Sequence, residues 1–210
     1  MHAASLGYAK LRPAGVESNH FAYHLDQLIR AGLIAKEGRS YFLTAKGLSL
    51  ADRVSHENMV VRTQPHIVTS IHLTNGDGKL LVYKHTFQPY MNLCGFPQGR
   101  LHFEEHVAEA AERELAEKAG LTDITLAHRG MAYVHTTKEG TTIGKLLAHV
   151  FSGTVAGMPA LAKPSQKGSC AWSDADKLAP AECMPGFHEI RKLLAENTGL
   201  FFAEIETEMA

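Results

Sequence analysis

The stretch GRLHFEEHVAEAAERELAEKAGL, residues 99–121, constrains this chain more than any other part of it. Residues 104–119 predict a helix, which Gly120 would end as a left-handed cap residue. Glu114 and Glu117, spaced i and i+3, fall on one helix face and are able to share a cation. Arg113 stands next to Glu114 and suits the task of holding a neighbouring carboxylate in position. A helix rich in Glu and Lys is most often only a solvated face with stray ion pairs. The Pro/Gly loop LCGFPQG just before it, the spaced Glu105 and the Arg113–Glu114 pair reverse that reading. Lys118 is the discordant residue, an ammonium one position after Glu117 and four after Glu114.

The pattern Gly99, Glu105, Arg113-Glu114-Leu115, Glu117, Gly120-Leu121 resembles the Nudix box at every fixed position except Lys118, where the box has glutamate. The resemblance implies an α/β fold, a Nudix α/β/α sandwich with a mixed sheet, over residues 64–206. It implies cleavage of a diphosphate linkage by a water activated with Mg²⁺ or Mn²⁺, hard cations that take oxygen ligands. On these terms Glu105, Arg113, Glu114 and Glu117 are the catalytic candidates. Gln98, through its backbone carbonyl, joins Glu114 and Glu117 as a metal-ligand candidate. Glu105 would lie beside the helix carboxylates, with Arg113 as the orienting group. An ammonium at position 118 supplies no ligand and repels a divalent ion. Three placements are open to it: at the cation position, in contact with substrate phosphate, or swung out to solvent. His102 and Glu104 also depart from common usage in the loop, and Glu139 is a further acid able to complete the site.

The flanking residues suit a mixed sheet with helices on both sides. HIVTSIHLTNGDGKLLVYKH predicts two strands joined at Asn75-Gly76-Asp77-Gly78. ITLAHRGMAYVHT and IGKLLAHVFSGTV predict longer strands, CAWSDADKL a strand feeding a short helix, and PGFHEIRKLLAENTG a helix. AGMPALAKPSQKG is loop by its Pro and Gly content.

Before residues 55–65 the pattern is different. SNHFAYHLDQLIRAG predicts a helix capped by Ser18 or Asn19 and followed by Gly32, with Phe21, Leu25, Leu28 and Ile29 on one face. LIAKEGRSYFLT predicts a hairpin around Glu37-Gly38-Arg39, and Thr44 caps the next helix. The segment resembles the recognition helix and wing of bacterial winged-helix regulators. That resemblance implies a small N-terminal winged-helix domain over residues 1–58, with Asn19, His20, Tyr23 and Arg30 on the helix and Lys36 and Arg39 on the wing facing duplex DNA. Such domains open with two helices, and only about a dozen residues stand before Pro13 here, so the first helix is missing or vestigial.

Charge fits both modules. Residues 1–62 hold eight Lys or Arg against five Asp or Glu, whereas the remainder hold thirteen against seventeen. The N-terminal excess permits nucleic-acid contact without demanding it. No apolar run reaches membrane-spanning length and MHAASLGYAKLRPAG lacks a signal peptide's apolar core, so a cytoplasmic location is expected. The three cysteines form no Cys-x-x-Cys pair and are expected to be reduced thiols, and the 13 histidines lack ligand spacing. Two functions follow. One is a metal-dependent hydrolase of a nucleoside-diphosphate derivative. The other is a regulator using a degenerate Nudix domain as a nucleotide-metabolite sensor, resembling the Nudix-related regulators of NAD metabolism. The hydrolase is preferred, and a homodimer suits either. Phe87, Tyr90, Tyr133 and Phe151 are the candidates for stacking on a base.

Overall fold

The protein is described as a computed structural model covering residues 5–53 and 64–209. The change of patterning expected at residues 55–65, with the first module ending at 58, falls largely outside the described residues. The chain divides into two compact units, residues 1–63 and 64–210.

The first unit begins with strand β1 (Leu6–Gly7) and a single-turn helix α1 (Tyr8–Leu11). Helix α2 (Ser18–Arg30) follows, then the hairpin β2 (Ile34–Glu37) and β3 (Ser40–Leu43), then α3 (Ala45–Arg53). β1 adds to the hairpin, giving a three-stranded sheet in the order β1-β3-β2. Neither Ser18 nor Asn19 caps α2. Glu17 is the cap residue, and the Ser18 hydroxyl is turned to the Tyr8 hydroxyl, 3.1 Å away. Thr44 does cap α3, accepting from the Gly47 N–H at 3.1 Å. Of the expected apolar face of α2, Leu25 is buried and Leu28 is 40% exposed.

The second unit is one eight-stranded mixed sheet between two helices. Its strands are β4 (His66–Asn75), β5 (Leu80–His85), β6 (Cys94–Gly95), β7 (Gln98–Arg100), β8 (Ala127–Lys138), β9 (Thr141–Val155), β10 (Gly168–Ser173) and β11 (Phe201–Glu208). The order is β10-β5-β4-β9-β8-β11, with β6 on β5 and β7 on β4. Two of its pairings, β4 with β9 and β11 with β8, are parallel. The turn after β4 closes as the Asn-Gly signal predicts: the Asn75 side-chain oxygen accepts from the N–H groups of Asp77 and Lys79.

Alternation within the strands makes two cores. Val134, Ala148, Val150, Phe201 and Ile205 face helix α5 (Phe187–Glu196), which contributes Phe187, Ile190 and Leu194. Ile71, Leu73, Leu81 and Phe151 face helix α4 (Val107–Ala119), which contributes Ala111, Leu115 and Ala119. α4 therefore lies flat on the sheet with one edge beside β7. β11 was not expected from the sequence, although Phe201, Ala203 and Ile205 alternate with Phe202, Glu204 and Glu206. No helix among the described residues is long and apolar enough to cross a membrane. Cys94, Cys170 and Cys183 are free thiols.

Phe187 is 2% exposed, and its ring centroid lies 4.7 Å from that of Phe96. Phe187→Ala should cost about 3–5 kcal/mol of stability, measured as a lower urea midpoint with an unchanged slope. A loss below roughly 1 kcal/mol would mean that α5 is not clamped to the sheet through this ring.

Candidate functional site

The helix α4 begins later than its sequence suggests. It starts at Val107, not at residue 104, because residues 102–106 fold into a tight loop. The His102 N–H donates to Glu105 at 2.6 Å, and the His106 N–H donates to the Glu109 carboxylate at 2.9 Å. The turn brings Glu105 back over the helix, eight residues from its partner Arg113. Gly120, with φ +70°, ends the helix in the left-handed conformation, its N–H donating to the Ala116 carbonyl.

Arg113 is the hub. Its Nε and Nη2 donate to the two oxygens of Glu105 at 2.9 and 2.6 Å, a bidentate pair. Its Nη1 donates to Glu114 Oε1 at 2.7 Å, and Nη2 also reaches the Arg100 carbonyl at 3.2 Å. The guanidinium thus ties the loop, the helix and the end of β7 together. Glu117 stands off, with Oε2 3.7 Å from Arg113 Nη1 and a side chain 61% exposed. Hydrogen bonds from Arg113 hold the Glu105 carboxyl down to about 2 from an ordinary value of 4.5; partial burial opposes this, and the His102 N–H assists it.

Glu114 is 6% exposed and points at β7. A Cβ on Gly99 would overlap the Glu114 carboxyl carbon at 1.8 Å, so the first glycine of the box makes room for this carboxylate. The pairing of Gly99 with Thr69 in the β7–β4 ladder fixes that approach.

Lys118 turns inward. Its Nζ lies 3.5 Å from Glu114 Oε2 and 4.4 Å from the centroid of the buried Tyr83 ring, and its side chain is 20% exposed. Its charge reaches further. His85, buried in the same region against Tyr83, is pushed down to about 4, by burial first and then by Lys118. Among the described residues neither His85 ring nitrogen has a hydrogen-bond partner. The Cys170 thiol is pushed up to about 11 by burial, against the pull of Lys118.

The fit to a divalent cation can be judged from the donors present. Glu105 has both oxygens on Arg113 and the loop backbone, and Glu114 has one on Arg113 and the other beside an ammonium. Among the described residues no three His, Cys, Asp or Glu side chains converge as a metal-holding group. As arranged, Glu114 Oε2 is paired with an ammonium, while Glu117 stands exposed beside the cluster.

The remaining candidates are dispersed. Gln98 lies in β7 and lines a small cavity with Ser70, Tyr90, Phe96 and Thr136. Glu139, with φ +50°, is an exposed residue of the β8–β9 turn. Phe151 is 3% exposed and belongs to the core under α4, and Tyr133 is partly buried, whereas Phe87 is 50% exposed. In the first unit Asn19, His20 and Tyr23 are exposed on α2, but Arg30 is spent on Asp26 at 2.8 Å. Lys36 lies over the Tyr41 ring, and Arg39 sits exposed at the hairpin turn. The His102 N–H and the Arg100 carbonyl act through backbone, and no residue type announces them. Tyr83 and His85 carry no sequence signal either.

A strand-edge loop thus feeds an acidic helix of an α/β sandwich, with the helix arginine clamped between two glutamates. Residues 64–195 match the NUDIX domain family, and the chain belongs to it. Solved structures agree on the fold. The MutT protein of Bacillus halodurans is 20% identical with a TM-score of 0.54, over 67% of this chain and 89% of that one. The MutT protein of Methanosarcina mazei is 19% identical with a TM-score of 0.52, over 66% and 99%. The Nudix domain of Shewanella oneidensis NrtR, solved in complex with ADP ribose, is 13% identical with a TM-score of 0.54, over 73% and 98%. Among curated proteins, none matches in sequence.

The clamp makes a direct pH prediction. Because the Glu105 carboxyl is depressed, its contribution to stability is fully present above 4.5 and is lost as pH falls through about 2. A carboxyl-carbon NMR titration should give a Glu105 midpoint near 2 in the wild type, rising toward 4.5 in Arg113→Ala. A midpoint already near 4.5 in the wild type would show that the guanidinium does not hold this carboxylate.

Proposed function

We propose that this protein is a nucleotide-responsive regulator. Its Nudix unit binds a nucleoside-diphosphate derivative without efficient hydrolysis, and its N-terminal unit contacts duplex DNA. The observation that carries this reading is the inward Lys118, whose ammonium lies 3.5 Å from the buried Glu114 carboxylate. A site that pairs its central glutamate internally is built to hold a ligand more than to activate water. Metal-assisted hydrolysis needs that carboxylate free for the cation.

The order of elements in the first unit supports the DNA half. A strand and short helix lead into α2, a tight hairpin follows, and β1 closes the sheet beside the hairpin. Asn19, His20 and Tyr23 present one polar helix face, and Lys36 and Arg39 supply the hairpin cations. A helix followed by a tight hairpin and a further helix supports a winged-helix reading of this unit. The NrtR Nudix domain, with its ADP ribose, gives the ligand to try first.

The alternative is a slow hydrolase acting on the same class of compound. The intact Glu105–Arg113–Glu114 clamp and the exposed Glu117 favour it. Turnover of ADP-ribose and other nucleoside-diphosphate derivatives, with Mg²⁺ and with Mn²⁺, separates the two. The regulator should show binding with negligible turnover, together with duplex DNA binding that falls steeply with salt and weakens in Arg39→Ala on every sequence. Turnover at ordinary enzymatic rates, on the order of 1 per second or faster, would select the hydrolase. Absence of DNA binding at low salt would remove the regulator.

A further inference from the structure

The Nudix box has a carboxylate where this chain has Lys118. Exchanging glutamate for lysine changes the formal charge of the site by two units, the charge of one divalent cation. The other members of the cluster are unchanged: Glu105, Glu114 and Glu117 against Arg113. The Lys118 site therefore carries without metal the net charge that a box with glutamate at 118 would carry with one Mg²⁺ bound.

Placement matches charge. The ammonium rests beside Glu114 Oε2, the oxygen that Arg113 leaves free, so it takes the side of the carboxylate a cation would otherwise occupy. The ammonium lies over the ring of Tyr83, a residue only 3% exposed, 4.4 Å from its centroid. The lysine side chain is 20% exposed, against 8% for that of Glu114. An ammonium has three donors, and Glu114 lies at ion-pair distance, 3.5 Å, from this one. The others are available to phosphate oxygens.

We infer that Lys118 is a tethered cation that takes the place of the divalent ion, so that the Nudix unit binds the diphosphate of its ligand in the free, metal-uncomplexed form. This rests on the reading of the Nudix unit as a nucleoside-diphosphate binder and names how that ligand is recognised. Lys118 donates to the non-bridging phosphate oxygens while Arg113, committed to Glu105 and Glu114, keeps the cluster in place. Mg²⁺ then acts as a competitor, because a nucleotide already complexed brings a second positive charge to a position held by the ammonium.

The test uses the full chain and calorimetric titration with ADP and ADP-ribose, once with EDTA and once with excess Mg²⁺. Binding should be tighter in EDTA than in excess Mg²⁺. Lys118→Met should weaken it in EDTA by about tenfold or more, as loss of a charge-assisted contact does. Lys118→Glu should lose binding in EDTA and regain it with Mn²⁺, and Mn²⁺ should raise the melting temperature of that variant but not of the wild type. A structural role for Lys118 alone predicts no such metal-dependent rescue. Binding by the wild type only when Mg²⁺ is present would overturn the tethered cation and leave the nucleotide-binding reading standing. No binding of either nucleotide under both conditions would overturn the two together.

Discussion

A carboxylate that is nearly inaccessible to water must have its charge answered locally, and Glu114 is such a group. Desolvating an ion is costly, and partners in good geometry are what make it tolerable. Glu114 finds two, Arg113 from the preceding position and Lys118 from the next helical turn. Each dictates something further away. Arg113 gathers Glu105 and so shapes the loop before α4, and its contact to the Arg100 carbonyl ties that loop to β7. Lys118 needs an aromatic floor, which β5 supplies as Tyr83. The glycine at 99 is the geometric counterpart, because any side chain there would evict the carboxylate from its place.

The same arrangement shows how an acidic helix can spend its carboxylates on internal pairing. Carboxylates that hydrogen-bond to arginine and to backbone N–H groups are good structural anchors, and a structural anchor has fewer lone pairs for a cation. The two requirements coexist when an extra carboxylate is present to hold the ion. At position 118 that extra carboxylate has become a lysine. What remains is a frame of two glutamates clamped on Arg113, with the Lys118 ammonium beside the buried one.

Much of this was legible in the sequence because the Nudix pattern is local. Gly99, Glu105, Arg113 and Glu114 lie within one loop-helix segment, and the charged three meet at 2.6 to 2.9 Å. The hairpin at Asn75 and the helix end at Gly120 were legible for the same reason, since turn chemistry is local. The direction of Lys118 was not. It depends on Tyr83, a residue of another strand, and sequence spacing says nothing about which ring will lie beneath a flexible stem. Likewise the start of α4 moved from 104 to 107 because Glu105 serves the clamp and not the helix. The terminal strand β11 carried the right alternation, but its partner β8 lies some seventy residues away in the chain, and pairing across that distance is tertiary information.

We infer that the ammonium of Lys118 takes the cation position beside Glu114. Crystals of the wild-type protein soaked in Mn²⁺ test this by anomalous diffraction. No manganese peak is expected at Glu114, with Lys118 Nζ remaining about 3.5 Å from Oε2. A manganese ion bound to Glu114 and Glu117, with Lys118 turned out to solvent, would contradict it.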